Sequence, residues 1–238
     1  MTAESVAAPA PPAAGSELTD AAAAEDGRMW TNRLRNKFFG TFPPEKLLPD
    51  RQPAYVASWI YVFGVACLAA LIMLILSGLW LTLEGPSWYH TTSTGHLVNS
   101  IHFWSVQLFM IALVVHLWGK FWMAAWRGRR AMTWITGAFA FFTSIGTAFT
   151  GFLVQSNFES QWIAFEGKDG LNAVGAGAWF NVANAGQMLL LHVCLLPLVV
   201  GLLVVWHVLL VRKHGVVPPI PLKHDPADEL APGEKVQS

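Results

Sequence analysis

The chain has 238 residues, 54% of them hydrophobic and only 13% charged, with a formal net charge of zero. Soluble globular chains carry about twice that share of charge, so a water-soluble domain is excluded as the main body of the protein, and no nucleic-acid partner is expected. The apolar residues are gathered into long runs, the arrangement that a lipid bilayer demands.

Residues 1–27 are rich in Ala and Pro, and acidic, and lack both the basic start and the apolar stretch of a signal peptide. They are expected to form a disordered tail that stays in the cytoplasm. Residues 28–55 read as a cytoplasmic amphipathic, interfacial segment. Four apolar stretches of about 20 residues or more then follow, each long enough to cross a membrane: about 56–83, 101–125, 132–154 and 188–211. The expected fold is therefore all-α, a four-transmembrane-helix bundle over residues 56–212, with a cytoplasmic C-terminal tail at 213–238. The 155–187 connection is long and rich in aromatic residues (Trp162, Phe165, Trp179, Phe180). Loops of that size are usually functional or build helices of their own, and short surface helices are expected here. Cys67 and Cys194 both fall inside apolar runs, without a Cys-x-x-Cys pattern, and read as buried, inert thiols.

Basic residues set the orientation. Arg28, Arg33, Arg35, Lys37, Lys46 and Arg51 precede the first span. Lys120, Arg127, Arg129 and Arg130 sit between spans two and three, and Arg212, Lys213, Lys223 and Lys235 follow the fourth. Lys168 alone lies on the other side. The sequence thus predicts a multi-pass protein of the plasma membrane with both termini cytoplasmic.

The second span carries His102 and His116, 14 residues apart; the fourth carries His192 and His207, 15 apart. At 100° per residue these steps return to within about 40° and about 60° of the starting face, with about 21 Å of rise between the histidines. Antiparallel packing brings His102 level with His192 and His116 level with His207. A single membrane histidine commonly bonds a neighbouring helix. Four of them in two level pairs are costly in lipid and match axial ligation of two haem irons by neutral imidazoles. Gly64 and Gly78 in span one, and Gly137 and Gly151 in span three, repeat the 14-residue step. Small-residue helix packing would explain one such glycine; two pairs in register suggest backbone kept bare where a macrocycle passes. His90, His96, His214 and His224 are expected to be exposed or interfacial.

The residues from Ser100 to Trp104, His116, the run from Thr133 to Gly137, Thr150 to Phe152, Leu191 to Pro197, His207 and the run from Arg212 to Gly215 resemble cytochrome b of bc and b6f complexes. The likeness extends over about residues 30–220 and is nearest to the short, four-helix b6 form. The resemblance implies two b-type haems, His102 and His192 holding the outer, low-potential one and His116 and His207 the inner, high-potential one. It further implies Arg129, Arg130 and Trp134 as propionate neighbours, with quinol and quinone as diffusible partners. A separate subunit with the C-terminal cytochrome b helices, a Rieske iron–sulfur protein, cytochrome c or another redox subunit, and a dimeric complex are implied as well. The function implied is electron transfer across the membrane in a quinol–cytochrome c reductase-like complex, whose quinol oxidation needs partner subunits. The sequence departs from the family where Gly151 to Asn157 lacks proline, where Asn99, Phe103 and Gly119 replace arginines, and where no cysteine stands near the start of span one. Without that cysteine the extra covalently attached haem of the b6 form is not expected; the other departures bear on quinol oxidation at the outer pocket rather than on haem binding. They admit an alternative, a dihaem membrane anchor linking a different peripheral oxidoreductase to the quinone pool.

Overall fold

In hydrocarbon each backbone N–H and C=O has to be satisfied within its own segment, which a continuous helix achieves. The apolar runs do fold this way. The structure, a computed structural model, describes residues 30–47 and 54–219. The expectations for residues 1–27, and for most of the C-terminal tail, lie outside the described residues.

Residues 30–47 belong to a unit of their own. It contains α1 (Trp30–Thr41) and the short α2 (Pro44–Leu47). Trp30, Leu34 and Phe38 recur every fourth position of α1, and all are exposed. That spacing lays them along one helical stripe, as an interfacial helix requires.

The second unit holds the spans. A 3-10 turn (Ala54–Ala57) leads into α3 (Trp59–Glu84); α4 (Pro86–Thr91) and α5 (Ser93–Trp122) follow. A 3-10 turn (Gly128–Arg130) opens α6 (Ala131–Val154), and α7 (Phe158–Ala173) forms in the long connection. The last span is built from α8 (Ala185–Leu190), a π-helical turn (Leu191–Leu195) and α9 (Leu196–His214). Four of these stretches are long and apolar enough to cross a membrane. Most large apolar side chains on them face outward, among them Val62, Ile72, Leu79, Phe139, Phe142 and Leu202. A soluble fold would hide such residues, whereas lipid accepts them.

The second span starts about eight residues earlier than its apolar run suggested. Polar residues from Ser93 to Ser100 extend the helix beyond the hydrocarbon, with Thr92 accepting from the Gly95 N–H as its cap. Gly85 ends α3 at φ 81°, a left-handed turn open to glycine, and Pro86 starts α4 at once. In the 155–187 connection one 16-residue helix, α7, forms, capped by Asn157 on the Ser160 N–H. Cys67 is buried as expected, but Cys194 is exposed; it faces away from the helix bundle on a lipid-directed surface.

The spans associate as two pairs, α3 along α5 and α6 along α9. Cys67, Ala70, Phe109 and Ala112 form the buried seam of the first pair. Leu153, Ala164, Val182 and Met188 form a second cluster where α6 and α8 meet the connection. Backbone approach between the two pairs is sparse, and α5 and α9 are not packed backbone to backbone. The helices that carry the histidines therefore meet through side chains.

Candidate cofactor-binding site

Two levels of the bundle carry the site. At the end joined by the 85–92 and 155–184 connections, His102 of α5 and His192 of the π turn face each other with ring centroids 6.2 Å apart and planes at 86°. At the other end lie His116 of α5 and His207 of α9.

Each of the four imidazoles lies against one glycine of the neighbouring helix. A Cβ built on Gly78 would come 3.2 Å from His102 Cε1, and one on Gly64 3.0 Å from His116 Cε1. On α6, a Cβ on Gly137 would lie 2.9 Å from His207 Cε1, and one on Gly151 2.9 Å from both nitrogens of His192. The glycines that repeat the 14-residue step thus make room for the histidine rings themselves. Helix α3 seats both histidines of α5, and α6 seats both histidines of the last span.

The 15-residue step of the fourth span is reconciled with the 14-residue step of the second by the π turn. Leu196 N–H bonds to the Leu191 carbonyl, five residues back instead of four. A π turn takes up one extra residue, so His192 and His207 present the same face that a 14-residue α-helical step would give. Pro197, lacking an N–H, cannot make the bond that would have closed an α-turn there.

Hydrogen bonds fix the ring tautomers. Ser77 Oγ donates to the Met73 carbonyl at 2.6 Å and lies 2.9 Å from His102 Nδ1. Its own hydrogen being used, it accepts from Nδ1–H. His192 Nδ1 donates to the Thr147 carbonyl at 2.9 Å, with Thr150 Oγ1 at 3.5 Å. His207 Nδ1 donates to the Thr133 carbonyl at 2.8 Å, with Thr136 Oγ1 at 3.3 Å. A proton held on Nδ1 leaves Nε2 with a free lone pair, the state of a metal-binding imidazole. His116 differs: its Nδ1 is buried and has no hydrogen-bond partner.

The donor set fits a haem. Among the described residues no three His, Cys, Asp or Glu side chains converge, so an ion bound by protein atoms alone would have two ligands where three or four are usual. A metal that brings its own in-plane ligands needs only two. His102 and His192, with ring centres 6.2 Å apart, would hold such a group between them, and it would supply one-electron chemistry there.

Near the second level, Trp134 Nε1 is buried without a hydrogen-bond partner among the described residues. Arg130 Nε donates to the Gly215 carbonyl at 3.4 Å, tying the start of α6 to the segment after α9. Arg129 is exposed. His214 Nδ1 lies 3.3 Å from Thr133 Oγ1, and His96 is exposed. His90 is exposed as well and, with Tyr89, Gln155, Ser156 and Leu189, lines a cavity of about 240 Å³ at the first-level end. Burial raises the pKa of the Tyr89 phenol, which stays protonated near neutrality.

Sequence reasoning missed the hydroxyls and carbonyls that hold the rings. A signal existed: Ser77, Thr136 and Thr150 each stand immediately before one of the in-register glycines.

Comparison with known proteins gives the family and the fold. A family model described as cytochrome b(N-terminal)/b6/petB matches residues 107–235, which include His116, His192 and His207. The chain is 29% identical over 196 residues to a cytochrome bc complex cytochrome b subunit of Chlorobaculum thiosulfatiphilum, covering 72% of this chain and 45% of that one. It is 28% identical over 137 residues to cytochrome b6 of Heliomicrobium gestii, covering 53% and 64%. It is 25% identical over 203 residues to the menaquinol:cytochrome c reductase cytochrome b subunit of Bacillus subtilis (strain 168), covering 74% and 88%. The first two alignments span about half to two thirds of the relatives' length. Among solved structures, a chain of a hyperthermophilic respiratory Complex III superposes with a TM-score of 0.60 at 22% identity, covering 86% of this chain and 59% of that one; this supports the fold.

Proposed function

The chain belongs to the cytochrome b (N-terminal)/b6 family, and from that premise we propose that it is a dihaem subunit carrying electrons across a membrane between quinol and quinone sites in a bc-type complex. His102 and His192 ligate one b-type haem, and His116 and His207 the other. When bound, the haems supply reversible one-electron chemistry whose potential the protein tunes. The chain's own contribution is to hold four neutral imidazoles with Nε2 exposed to the metal, about 21 Å apart along the bundle, and to keep water from them with apolar helices.

The observation that carries this reading is the fourfold glycine–histidine seating at two levels. Chance placement gives no reason for two helices to bare their backbones opposite every one of the four rings. Trp134, Arg129 and Arg130 stand at the second level as candidates for the propionate edge. The excess of Lys and Arg on the 123–130 side supports a cytoplasmic facing of that level. Quinone and membrane lipid are the small-molecule partners. A Rieske protein, a cytochrome c or equivalent redox subunit, and a subunit bearing the C-terminal cytochrome b helices complete the complex, as a dimer.

A redox titration of the purified protein, followed optically, tests the reading. Two b-type components are expected, with one lost in His116→Ala and the other in His192→Ala. One component insensitive to both substitutions sinks it.

The connection through α7 favours a second reading, a dihaem anchor for another oxidoreductase. Phe158, Trp162, Phe165 and Trp179 are all exposed there, a surface suited to a docked subunit. Isolation of the intact complex separates the two, through the presence or absence of a Rieske iron–sulfur protein.

A further inference from the structure

Three of the four ring-seating glycines follow a hydroxyl residue, Ser77, Thr136 and Thr150, and each hydroxyl lies 2.9–3.5 Å from the Nδ1 of the histidine seated there. The fourth, Gly64, follows Phe63. On α3 the two positions are equivalents one 14-residue step apart: Ser77 beside Gly78 and His102, Phe63 beside Gly64 and His116. On α6, backbone carbonyls four residues before the glycines add to the pattern, with Thr133 and Thr147 accepting from His207 and His192. His116 Nδ1 has neither kind of partner and is buried. Phe63 turns instead to the α3–α5 seam, packing on the Cys67, Ala70, Phe109 and Ala112 cluster and edge-on to Trp59 at 6.0 Å.

We propose that Phe63 is a positioning residue that keeps the His116 imidazole free of a hydrogen-bond acceptor and thereby raises the reduction potential of the centre it ligates. A hydrogen bond from Nδ1–H makes an imidazole a more basic ligand, which stabilises the oxidised metal and lowers its potential. The His102/His192 pair has two such ligands; the His116/His207 pair has one. The asymmetry between the two centres is thus written into one side chain of α3. This inference rests on the bis-histidine reading above.

The test is an optical redox titration of the full-length protein and of Phe63→Ser, Phe63→Ala and Ser77→Ala. Phe63→Ser is expected to lower the midpoint of the component that His116→Ala abolishes, leaving the other unmoved. Phe63→Ala opens the same space without an acceptor and is expected to leave that midpoint above the one in Phe63→Ser. Ser77→Ala is expected to raise the midpoint of the other component, because it removes the acceptor of His102 Nδ1. Equal midpoints in Phe63→Ser and Phe63→Ala overturn the proposal. Should the Phe63 variants lose haem, an unchanged midpoint in Ser77→Ala overturns it alone. An unmutated protein without two components overturns the ligation reading itself, and this proposal with it.

Discussion

Gly151 and His192 lie closer than a side chain on either helix would allow: a Cβ on Gly151 would stand 2.9 Å from both ring nitrogens. Real Cβ atoms do not approach that closely, and the obstruction falls on the nitrogen that ligates as well as the one that donates to Thr147. Gly151→Ala is therefore expected to displace the ring, at a cost of about 1–3 kcal/mol typical of overpacking. The readout is haem content per polypeptide together with the optical spectrum. Gly151→Ala should lose the His102/His192 component, and Gly78→Ala, whose Cβ would meet only His102 Cε1, at 3.2 Å, and Nδ1, at 3.7 Å, should retain more of it. Equal retention in both variants would contradict the seating.

The π turn makes a second, less intuitive prediction. Deleting Cys194, which is exposed and lies within Leu191–Leu195, removes the extra residue and leaves a 14-residue α-helical step between His192 and His207. Both components are expected to survive. Deleting Val204, within α9, leaves the π turn in place and rotates one histidine against the other by about 100°. That variant is expected to lose at least one component. Identical spectra for the two deletions would show that the turn does not set the register.

The spans, their number and the four histidines are legible because both signals are periodic and strong: a bilayer needs long apolar runs, and a 14-residue step survives any detail of packing. What stayed hidden is what depends on the neighbouring helix. The 15-residue step of His192 and His207 read as a return to within about 60° of one face, and the π turn that takes up the extra residue leaves no mark in periodicity. The glycines were legible as bare backbone, but their contact with the imidazole rings shows only when α3 and α6 are set against α5 and α9. Ser77, Thr136 and Thr150 looked like ordinary small polar residues of membrane helices, which usually bond their own backbone at i−4. Ser77 and Thr136 do that here, Thr150 bonds at i−3, and each hydroxyl also lies beside a histidine Nδ1.

Charge distribution predicts the facing of the loops, and cysteine labelling checks it. In a Cys67→Ala, Cys194→Ala background, Lys168→Cys on α7 should react with a membrane-impermeant maleimide added to intact cells. Arg129→Cys, on the turn before α6, should react only after the membrane is opened. Labelling of Arg129→Cys in intact cells would reverse the proposed orientation and put the His116/His207 level on the outer face.

Trp134 offers the most local test of what occupies the second level. Its indole N–H is buried and unpaired among the described residues, and an unmet donor of this kind costs about 1–3 kcal/mol. An acidic group of a bound cofactor would satisfy it. Trp134→Phe keeps most of the ring packing and removes only the donor. It is expected to weaken retention of the haem held by His116 and His207 by about 1 kcal/mol, read as earlier loss of that component on titration with denaturant. The His102/His192 component, at the far end of the bundle, serves as the internal reference. If Trp134→Phe stabilises the second-level component, the N–H was a cost left unmet by the cofactor, and Arg130 becomes the residue to examine for its acidic edge.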